Sequence, residues 1–212
     1  MDLHNIRESY KFDSLLELNL ESNPFDQFQY WYTSYAELRI KDSNAMAIAT
    51  VDSQGIPSNR IVLLKAVENN EFIFFTNYRS AKAKDLLSNP MVSALFFWRE
   101  QERQVRIQGR VVRITKEKSE AYFATRPYLS QIGAAASEQS QPITNRAALE
   151  SKFSEFQNKF PEGSTVPMPE DWGGFAIQPI SFEFWQGREG RLHDRIVYTL
   201  EGHEWTTSRL QP

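Results

Sequence analysis

The apolar residues of this chain follow one period near the amino terminus and another after it. Within residues 24–40 they recur at steps of three and four, at Phe25, Phe28, Tyr32, Tyr35 and Leu38. Side chains at this spacing share one face of a helix, so the pattern predicts an amphipathic helix. The preceding residues, 1–23, are mostly polar and are expected to form a mobile arm with some helix.

Short apolar runs take over after residue 44 and predict strands. They are Ala45–Val51, 60–65, 71–76 and Met91–Trp98. The turn-forming stretches DSQG (52–55) and ENN (68–70) separate the first three runs, which is typical of hairpins. The segment Arg103–Arg113 alternates between apolar and polar residues, so one face of this strand is expected to be buried and the other wet. Further strands are predicted at 174–185, 192–200 and 205–210.

Helices interrupt the strands only at intervals. Helical patterns cover Ala81–Ser88, 116–125 and 145–160, whereas 131–141 is expected to be a loop or short helix and 161–171 a proline-rich loop. Pro127 ends the second helix, because the residue before a proline avoids the helical region. Strands at hairpin spacing with flanking helices predict a mainly β fold of the α+β class, an antiparallel barrel. We expect the arm, 1–23, to precede a single domain, 24–212.

Composition narrows the function classes. The 212 residues carry 24 basic and 27 acidic side chains, a net charge of −3, which leaves no overall positive field to hold nucleic acid. The absence of cysteine excludes disulfides, thiolate catalysis and cysteine-ligated metal. The polar amino terminus is unlike a signal peptide, and no apolar run reaches the ~20 residues of a membrane span. We therefore expect a soluble, cytoplasmic protein without a nucleic-acid or membrane partner.

An unusual charge pattern lies near the carboxyl end. Arg191, His193 and Arg195 alternate within a predicted strand, which places them on one face at spacings of roughly 6–7 Å. Like charges at this spacing repel each other, so the pattern favours an anionic or electron-rich ligand against that face. A solvated basic face is the alternative. The chain has no HExxH spacing for zinc and no GxSxG around a serine nucleophile.

Other candidate anion-binding residues recur along the chain. They are Arg60, Lys65, Arg79, Lys82, Lys84, Arg126, Ser130, Gln139 and Ser140. Lys82 and Lys84 lie near the start of a predicted helix, where free backbone N–H groups already favour an anion. For each single Lys or Arg the alternative is a solvated surface charge. No GxGxxG or Walker sequence follows a strand, so the usual glycine-rich phosphate loops are missing.

Five stretches, in order, resemble one known family, the pyridoxine/pyridoxamine 5′-phosphate oxidases. They are AMAIATVDSQGIPSNRIVLLK (45–65), ERQVRIQG (102–109), RPYLSQIG (126–133), WGGF (172–175) and EFWQGREGRLHDR (183–195). The resemblance implies a split β-barrel that works as a homodimer, with FMN bound at the subunit interface. The implied reaction oxidises pyridoxine or pyridoxamine 5′-phosphate to pyridoxal 5′-phosphate, with O2 reduced to H2O2.

The resemblance also implies roles for residues at matching positions. The expected FMN-binding residues are Arg60, Ile61, Val62, Leu63, Leu64, Lys65, Phe75, Thr76, Lys82, Gln104, Gln139, Ser140, Trp185 and Arg195. The expected substrate-binding residues are Arg7, Tyr10, Lys65, Tyr122, Arg126, Ser130, Arg191 and His193. Within the second set, the phosphate would meet Lys65, Tyr122, Arg126 and Ser130. The catalytic contacts with the pyridine ring and its reacting substituent would come from Arg191 and His193.

One position departs from the family pattern. The family usually has Arg-Lys where this chain has Ala81 followed by Lys82, so one phosphate-binding arginine is missing. We hypothesise that Arg79 reaches the same phosphate. Two other functions stay open, a split-barrel flavin reductase with another substrate and a non-catalytic protein that binds FMN or pyridoxal phosphate.

Overall fold

Nine strands form one antiparallel sheet in the computed structural model, within the residues that it describes, 1–5 and 8–212. They are β1 Ala45–Val51, β2 Pro57–Leu63, β3 Ala66–Glu68, β4 Glu71–Asn77, β5 Met91–Trp98, β6 Arg103–Arg113, β7 Trp172–Gln186, β8 Asp194–Glu201 and β9 Glu204–Arg209. Their order across the sheet is β2-β1-β5-β6-β7-β4-β3, and β8 joins at β7 with β9 beside it. The predicted mainly β, antiparallel architecture is confirmed.

Five helices flank the sheet over the same residues. They are α1 Pro24–Ala36, α2 Ala81–Ser88, α3 Lys116–Ala124, α4 Tyr128–Ala136 and α5 Arg146–Lys159. Every predicted helix is present, and α4 is the short helix foreseen as one possibility within 131–141, although it begins earlier. No described helix combines the length and the apolar character needed to cross a membrane.

The long strand β7 gives the sheet its curvature. On one side it pairs with the whole of β6, and on the other its first half pairs with β4 and its second half with β8. The register of β6 against β7 shifts at Gly109, where any side chain would overlap the carbonyl oxygen of Gln178. Glycine permits this close approach of two backbones. A strand shared among three neighbours bends the sheet into a half-barrel.

The chain crosses between the two edges of the half-barrel directly after β2. The backbone N–H of Leu64 donates to the carbonyl of Asn44, beside β1. The next N–H, from Lys65, donates to the carbonyl of Ile73 in β4. The strand predicted over RIVLLK therefore ends earlier than expected, at Leu63, because the two residues after it bridge the edges instead of continuing β2.

Aromatic side chains fill the half-barrel, and α1 supplies part of them. Phe28 meets Phe72 and Phe96 edge to face, with ring centroids 4.9 and 5.1 Å apart. Aromatic pairs favour this arrangement because ring edges are positive and ring faces negative. Asn23 starts the helix, since its side chain accepts a hydrogen bond from the N–H of Phe25. The aromatic stripe predicted for this helix thus packs into the core.

One prediction about local structure is wrong. The strand expected from residue 192 begins only at Asp194, so Arg195 is the one member of the alternating trio that lies in it. Arg191 ends a 3₁₀ turn and has a φ of 62°, directly after Gly190 with a φ of 64°. Two consecutive left-handed residues redirect the backbone, which breaks the strand period. His193 lies between this turn and β8, and the three side chains do not share a strand face.

Candidate functional site

A cavity of 760 Å³ lies between β2, β4 and the helices α2, α3 and α4. Many of the residues with expected roles line it, namely Ile61, Val62, Leu63, Lys65, Phe75, Thr76, Lys82, Tyr122, Arg126, Ser130 and Gln139. They come from distant parts of the chain, and the fold gathers them around one space.

Lys82, near the start of α2, forms the first polar corner of this cavity. Its side chain is buried, and its ammonium group donates to Thr76 Oγ1 at 3.1 Å and to Gln139 Oε1 at 3.2 Å. Both acceptors are neutral. Burial, together with the charge of Arg60, lowers the pKa of Lys82 to about 8. An anionic ligand would stabilise this ammonium group, because it would replace the solvation lost on burial.

Arg60 lies beside this corner but is not among the residues that line the cavity. Its guanidinium donates to Thr50 Oγ1 at 2.6 Å and to Ser58 Oγ at 2.5 Å. It also lies 3.9 Å from the carboxylate of Asp85. Burial lowers the pKa of Arg60, and the charge of Asp85 opposes this shift. Arg60 therefore lies close both to the Lys82 corner and to the carboxylate of Asp85.

Arg79 turns away from the cavity. Its side chain is 72% exposed, and its Nε lies 2.8 Å from a carboxylate oxygen of Asp171. The hypothesis that Arg79 replaces the arginine missing at Ala81 therefore finds no support in this arrangement. The N-cap residue of α2, Ser80, is fully buried, and its hydroxyl has no hydrogen-bond partner within the described chain. This hydroxyl is an open donor at the start of the helix.

Arg126 forms the second cationic corner. Its guanidinium lies over the rings of Trp172 and Phe123, 4.8 and 5.6 Å from their centroids. One guanidinium nitrogen, Nη1, is buried and finds no hydrogen-bond partner among residues 1–5 and 8–212. Burial also lowers the pKa of Arg126. A buried guanidinium nitrogen without an acceptor is costly unless a ligand supplies one.

An aromatic stack forms a flat wall of the cavity. Tyr122 stacks on Phe75 with centroids 3.9 Å apart, and Phe75 stacks on Trp172 at 5.3 Å. The planes are nearly parallel, at 17° and 10°. The cavity thus combines an apolar, planar surface with two cationic corners, which suits a ligand that carries both an aromatic ring and an anionic group.

Other predicted residues gather around the turn before β8, and we call them the turn cluster: Tyr10, Trp185, Arg191, His193 and Arg195. The rings of Tyr10, Trp185 and His193 pack together, with centroids 4.6 to 5.8 Å apart. Gln104 pairs with Trp185, and Trp185 pairs with Arg195, so these side chains form one row across β6, β7 and β8.

Backbone and carboxylate contacts fix the orientation of two members of the turn cluster. His193 Nδ1 accepts a hydrogen bond from the N–H of Arg188 at 3.1 Å, which places the proton of the neutral ring on Nε2. Burial, and then the charge of Arg191, lower the pKa of His193, which favours the neutral form. The Nε of Arg195 donates to Glu183 at 2.8 Å, and this carboxylate raises the pKa of Arg195.

The cavity and the turn cluster lie at opposite ends of one strand. Trp172, which lines the cavity, is the first residue of β7, and Trp185 is its last but one. Because a strand rises about 3.3 Å per residue, the two positions are roughly 40 Å apart along the strand. One chain alone therefore does not bring the two groups of predicted residues to a single site.

A few predicted residues fall outside both groups. Leu64 is buried in the hydrophobic core, and Ser140 follows Gln139 but is not among the residues that line the cavity. Arg7 lies outside the described residues. The role of Trp172 in the cavity was missed, although it belongs to the WGGF stretch. Glu183 was also missed, although it alternates with Trp185 and so shares its strand face.

Two family models match the chain. The model of pyridoxamine 5′-phosphate oxidase covers residues 34–160, and the model of the pyridoxine 5′-phosphate oxidase C-terminal dimerisation region covers residues 172–212. The first includes all the residues of the cavity except Trp172, and the second includes most of the turn cluster.

Similar proteins share the whole length of the chain. The pyridoxine/pyridoxamine 5′-phosphate oxidase of Cytophaga hutchinsonii is 46% identical, over 100% of this chain and 99% of its own. The enzyme of that name from Bordetella avium is 49% identical, over 100% of each chain. Among solved structures, PhzG from Burkholderia lata 383, in complex with tetrahydrophenazine-1-carboxylic acid, has a TM-score of 0.88 at 28% identity. The match covers 94% of this chain and 98% of PhzG.

Proposed function

Because the chain belongs to the pyridoxamine 5′-phosphate oxidase family, we propose that it is an FMN-dependent oxidase that converts pyridoxine or pyridoxamine 5′-phosphate to pyridoxal 5′-phosphate. The family expected from five sequence stretches is confirmed, and so is the class of enzyme, an oxidoreductase. The identities of the cofactor and the substrate and the role of each residue are our proposal, as is the expected cytoplasmic location.

The residues around Lys82 fit the phosphate of FMN. The corner offers an ammonium group with neutral partners, the amide of Gln139, and the hydroxyl of Ser80, which has no partner among residues 1–5 and 8–212. Arg60 lies close enough to lower the pKa of Lys82 and would add a second positive charge. When bound, FMN would supply the two-electron redox chemistry that side chains lack.

The buried Nη1 of Arg126 is the observation that carries the substrate assignment. This nitrogen lacks an acceptor within the described chain and belongs to a cation without a carboxylate partner there. Lys65 and Ser130 line the same cavity and add an ammonium group and a hydroxyl. Phosphate satisfies such donors through charge-assisted hydrogen bonds, to which the planar guanidinium is well suited. The stack that ends in Tyr122 would face the pyridine ring.

The reacting end of the substrate would meet residues of a partner subunit. Within one chain, the turn cluster is too far from the cavity to share a ligand, and a dimerisation region covers residues 172–212. A symmetric homodimer would place the turn cluster of one chain against the cavity of the other. Ile61 on β2 is 65% exposed and Phe97 on β5 is 58% exposed. Apolar side chains of this kind offer a surface for this contact.

The proposed reaction uses the protein mainly to bind and orient. Phosphate contacts at Arg126 and Lys65 would hold the far end of the substrate, which fixes the approach of its reacting carbon and converts binding into proximity. His193, with its proton held on Nε2, and Arg191 would contact the ring and its reacting substituent. Each turnover removes two electrons and two protons from pyridoxine 5′-phosphate, and O2 takes them up as H2O2. With pyridoxamine 5′-phosphate, water also enters and ammonia leaves.

The decisive experiment compares phosphorylated with unphosphorylated substrate. The purified protein, loaded with FMN, should form equal amounts of pyridoxal 5′-phosphate and H2O2 from pyridoxine 5′-phosphate, and far less product from pyridoxine. Binding of FMN without peroxide would favour a non-catalytic carrier. Flavin reduction by a nicotinamide cofactor, but not by pyridoxine 5′-phosphate, would favour a reductase. Equal turnover of both substrates would contradict the phosphate site at Arg126.

A further inference from the structure

The amino-terminal arm lies against the turn cluster. Tyr10 packs edge-on against Trp185 and His193, and its ring lies so close to Gly187 that a Cβ there would come within 2.8 Å of Tyr10 Cγ. Real Cβ atoms rarely come this near, so glycine at position 187 makes room for Tyr10. The position of Tyr10 therefore depends on two segments, the arm itself and Gly187 directly after β7.

A buried cation holds the arm three residues after Tyr10. The side chain of Arg103 is 5% exposed, and its Nη2 lies 2.7 Å from a carboxylate oxygen of Asp13. The same guanidinium stacks over Trp31, 4.3 Å from the ring centroid, and donates through Nε to Gln186 at 2.8 Å. Burial lowers the pKa of Arg103, and the charge of Asp13 opposes this shift.

This ion pair lies next to the residues proposed to meet cofactor and substrate. Arg103 pairs with Gln186 across β6 and β7, and the adjacent pair in the ladder is Gln104 with Trp185. The guanidinium therefore links the arm to the same two strand ends that carry members of the candidate site.

We propose that Asp13 is a positioning residue, whose ion pair with Arg103 holds Tyr10 in place against Trp185 and His193. This proposal rests on the proposed function, because Tyr10 is expected to contact the substrate. If the arm is already ordered before the substrate binds, the chain loses less conformational entropy on binding, and the substrate binds more tightly. Asp13 then acts through Tyr10 and does not itself contact the reacting atoms.

Exposure separates two neighbouring ion pairs of the arm, Asp13 with Arg103 and Lys11 with Glu189. Lys11 lies 2.9 Å from Glu189, but both side chains are more than 60% exposed, and such pairs contribute little. Removal of Asp13 would leave the charge of Arg103 buried without its carboxylate, which is the costly case. The two pairs lie in the same short segment, so Lys11 provides a matched control.

The test uses the FMN-loaded protein and three single variants. For Asp13→Ala we expect KM for pyridoxine 5′-phosphate to rise about tenfold while kcat changes less than about twofold. Asp13→Glu should recover most of the lost affinity, because it restores the carboxylate. Lys11→Gln should keep the parent KM. An unchanged KM in Asp13→Ala, or an equal rise in Lys11→Gln, would overturn the proposal.

A double variant separates positioning from general stability. If Asp13 acts through Tyr10, then Asp13→Ala adds nothing once Tyr10 is removed, and the double variant should have the KM of Tyr10→Ala alone. Multiplication of the two effects would show that Asp13 acts independently of Tyr10 and would contradict the proposal.

A structural readout keeps this proposal apart from the proposed function. Failure of the latter would appear in the parent protein, as absence of H2O2 with pyridoxine 5′-phosphate. The arm can still be followed by hydrogen–deuterium exchange of the backbone amides of residues 8–12, measured by mass spectrometry. These amides should exchange faster in Asp13→Ala than in the parent, and at the parent rate in Lys11→Gln. Equal rates in all three proteins would show that Asp13 does not hold the arm.

Discussion

The cavity and the region around the turn cluster both contain cationic side chains, but the partners of these cations differ between the two regions. Among the residues that the structure describes, Lys82 donates only to neutral acceptors, and a buried nitrogen of Arg126 has no hydrogen-bond partner. Near the turn, Arg188 and Arg209 both donate to the carboxylate of Asp194. A cation with a carboxylate already has its counter-charge, whereas a cation without one gains most from an anionic ligand. Pairing therefore ranks the cations by how much an anionic ligand would add to them, and Arg60, which lies 3.9 Å from Asp85, ranks below Lys82 and Arg126.

Arg126→Gln should give the largest effect that this comparison predicts. Loss of the guanidinium would remove charge-assisted contacts with the substrate phosphate, so kcat/KM for pyridoxine 5′-phosphate should fall about 10³-fold. Steady-state H2O2 formation measures this value. Unphosphorylated pyridoxine serves as the internal control, because its slow turnover should not change. An equal loss with both substrates would mean that Arg126 supports the fold and not phosphate recognition.

Lys82→Gln should give the next largest effect, and on the cofactor. Without the ammonium group the FMN phosphate would lose a buried counter-charge, so Kd for FMN should rise about 100-fold. Quenching of flavin fluorescence gives the affinity. Lys84→Gln is the matched control, since it removes the same charge from the exposed face of the same helix. If the two variants bind FMN equally well, the proposed place of the cofactor phosphate is wrong.

The pH dependence of FMN binding should report the same group. The pKa of Lys82 is lowered to about 8, and the charged form is the one that binds phosphate. FMN affinity should therefore be constant below that pKa and fall as the pH rises through it, by up to about tenfold per pH unit. Measurement of Kd for FMN between pH 6.5 and pH 9.5, roughly 1.5 units on each side of this pKa, would show whether affinity falls as the pH rises. In Lys82→Gln the fall should disappear, and an unchanged profile there would assign it to another group.

The sequence predicted the elements around the cavity better than the turn before β8. Hairpin spacing and helix periods are local, and they located α2 and β5 to the residue. The Arg191 region failed because two left-handed residues, Gly190 and Arg191, interrupt a segment whose alternation resembles a strand. Alternation of side chains indicates a strand only where the backbone is extended.

Charge pairing could not be predicted from sequence at all. Asp171 follows Arg79 by many residues, and only the return of the chain at the start of β7 brings the two together. The same holds for Asp13 and Arg103, which are distant in sequence. Whether a cation is available to a ligand depends on these tertiary contacts, so residue type and spacing identified candidates without separating free cations from paired ones.

Arg79→Ala should have the smallest effect and tests the comparison most directly. Arg79 lies three residues before Lys82 and resembles it in charge, but it is exposed and pairs with Asp171. We expect Kd for FMN to change less than about threefold, the range of an exposed ion pair. Ala81→Arg is the positive counterpart, because it restores a cation at the start of α2 beside the open Ser80 hydroxyl and should tighten FMN binding. A loss in Arg79→Ala as large as that in Lys82→Gln would show that the Asp171 pair opens when FMN binds. An ion pair with a carboxylate would then be a poor guide to which cations hold phosphate, and Arg79 would be the replacement for the missing arginine.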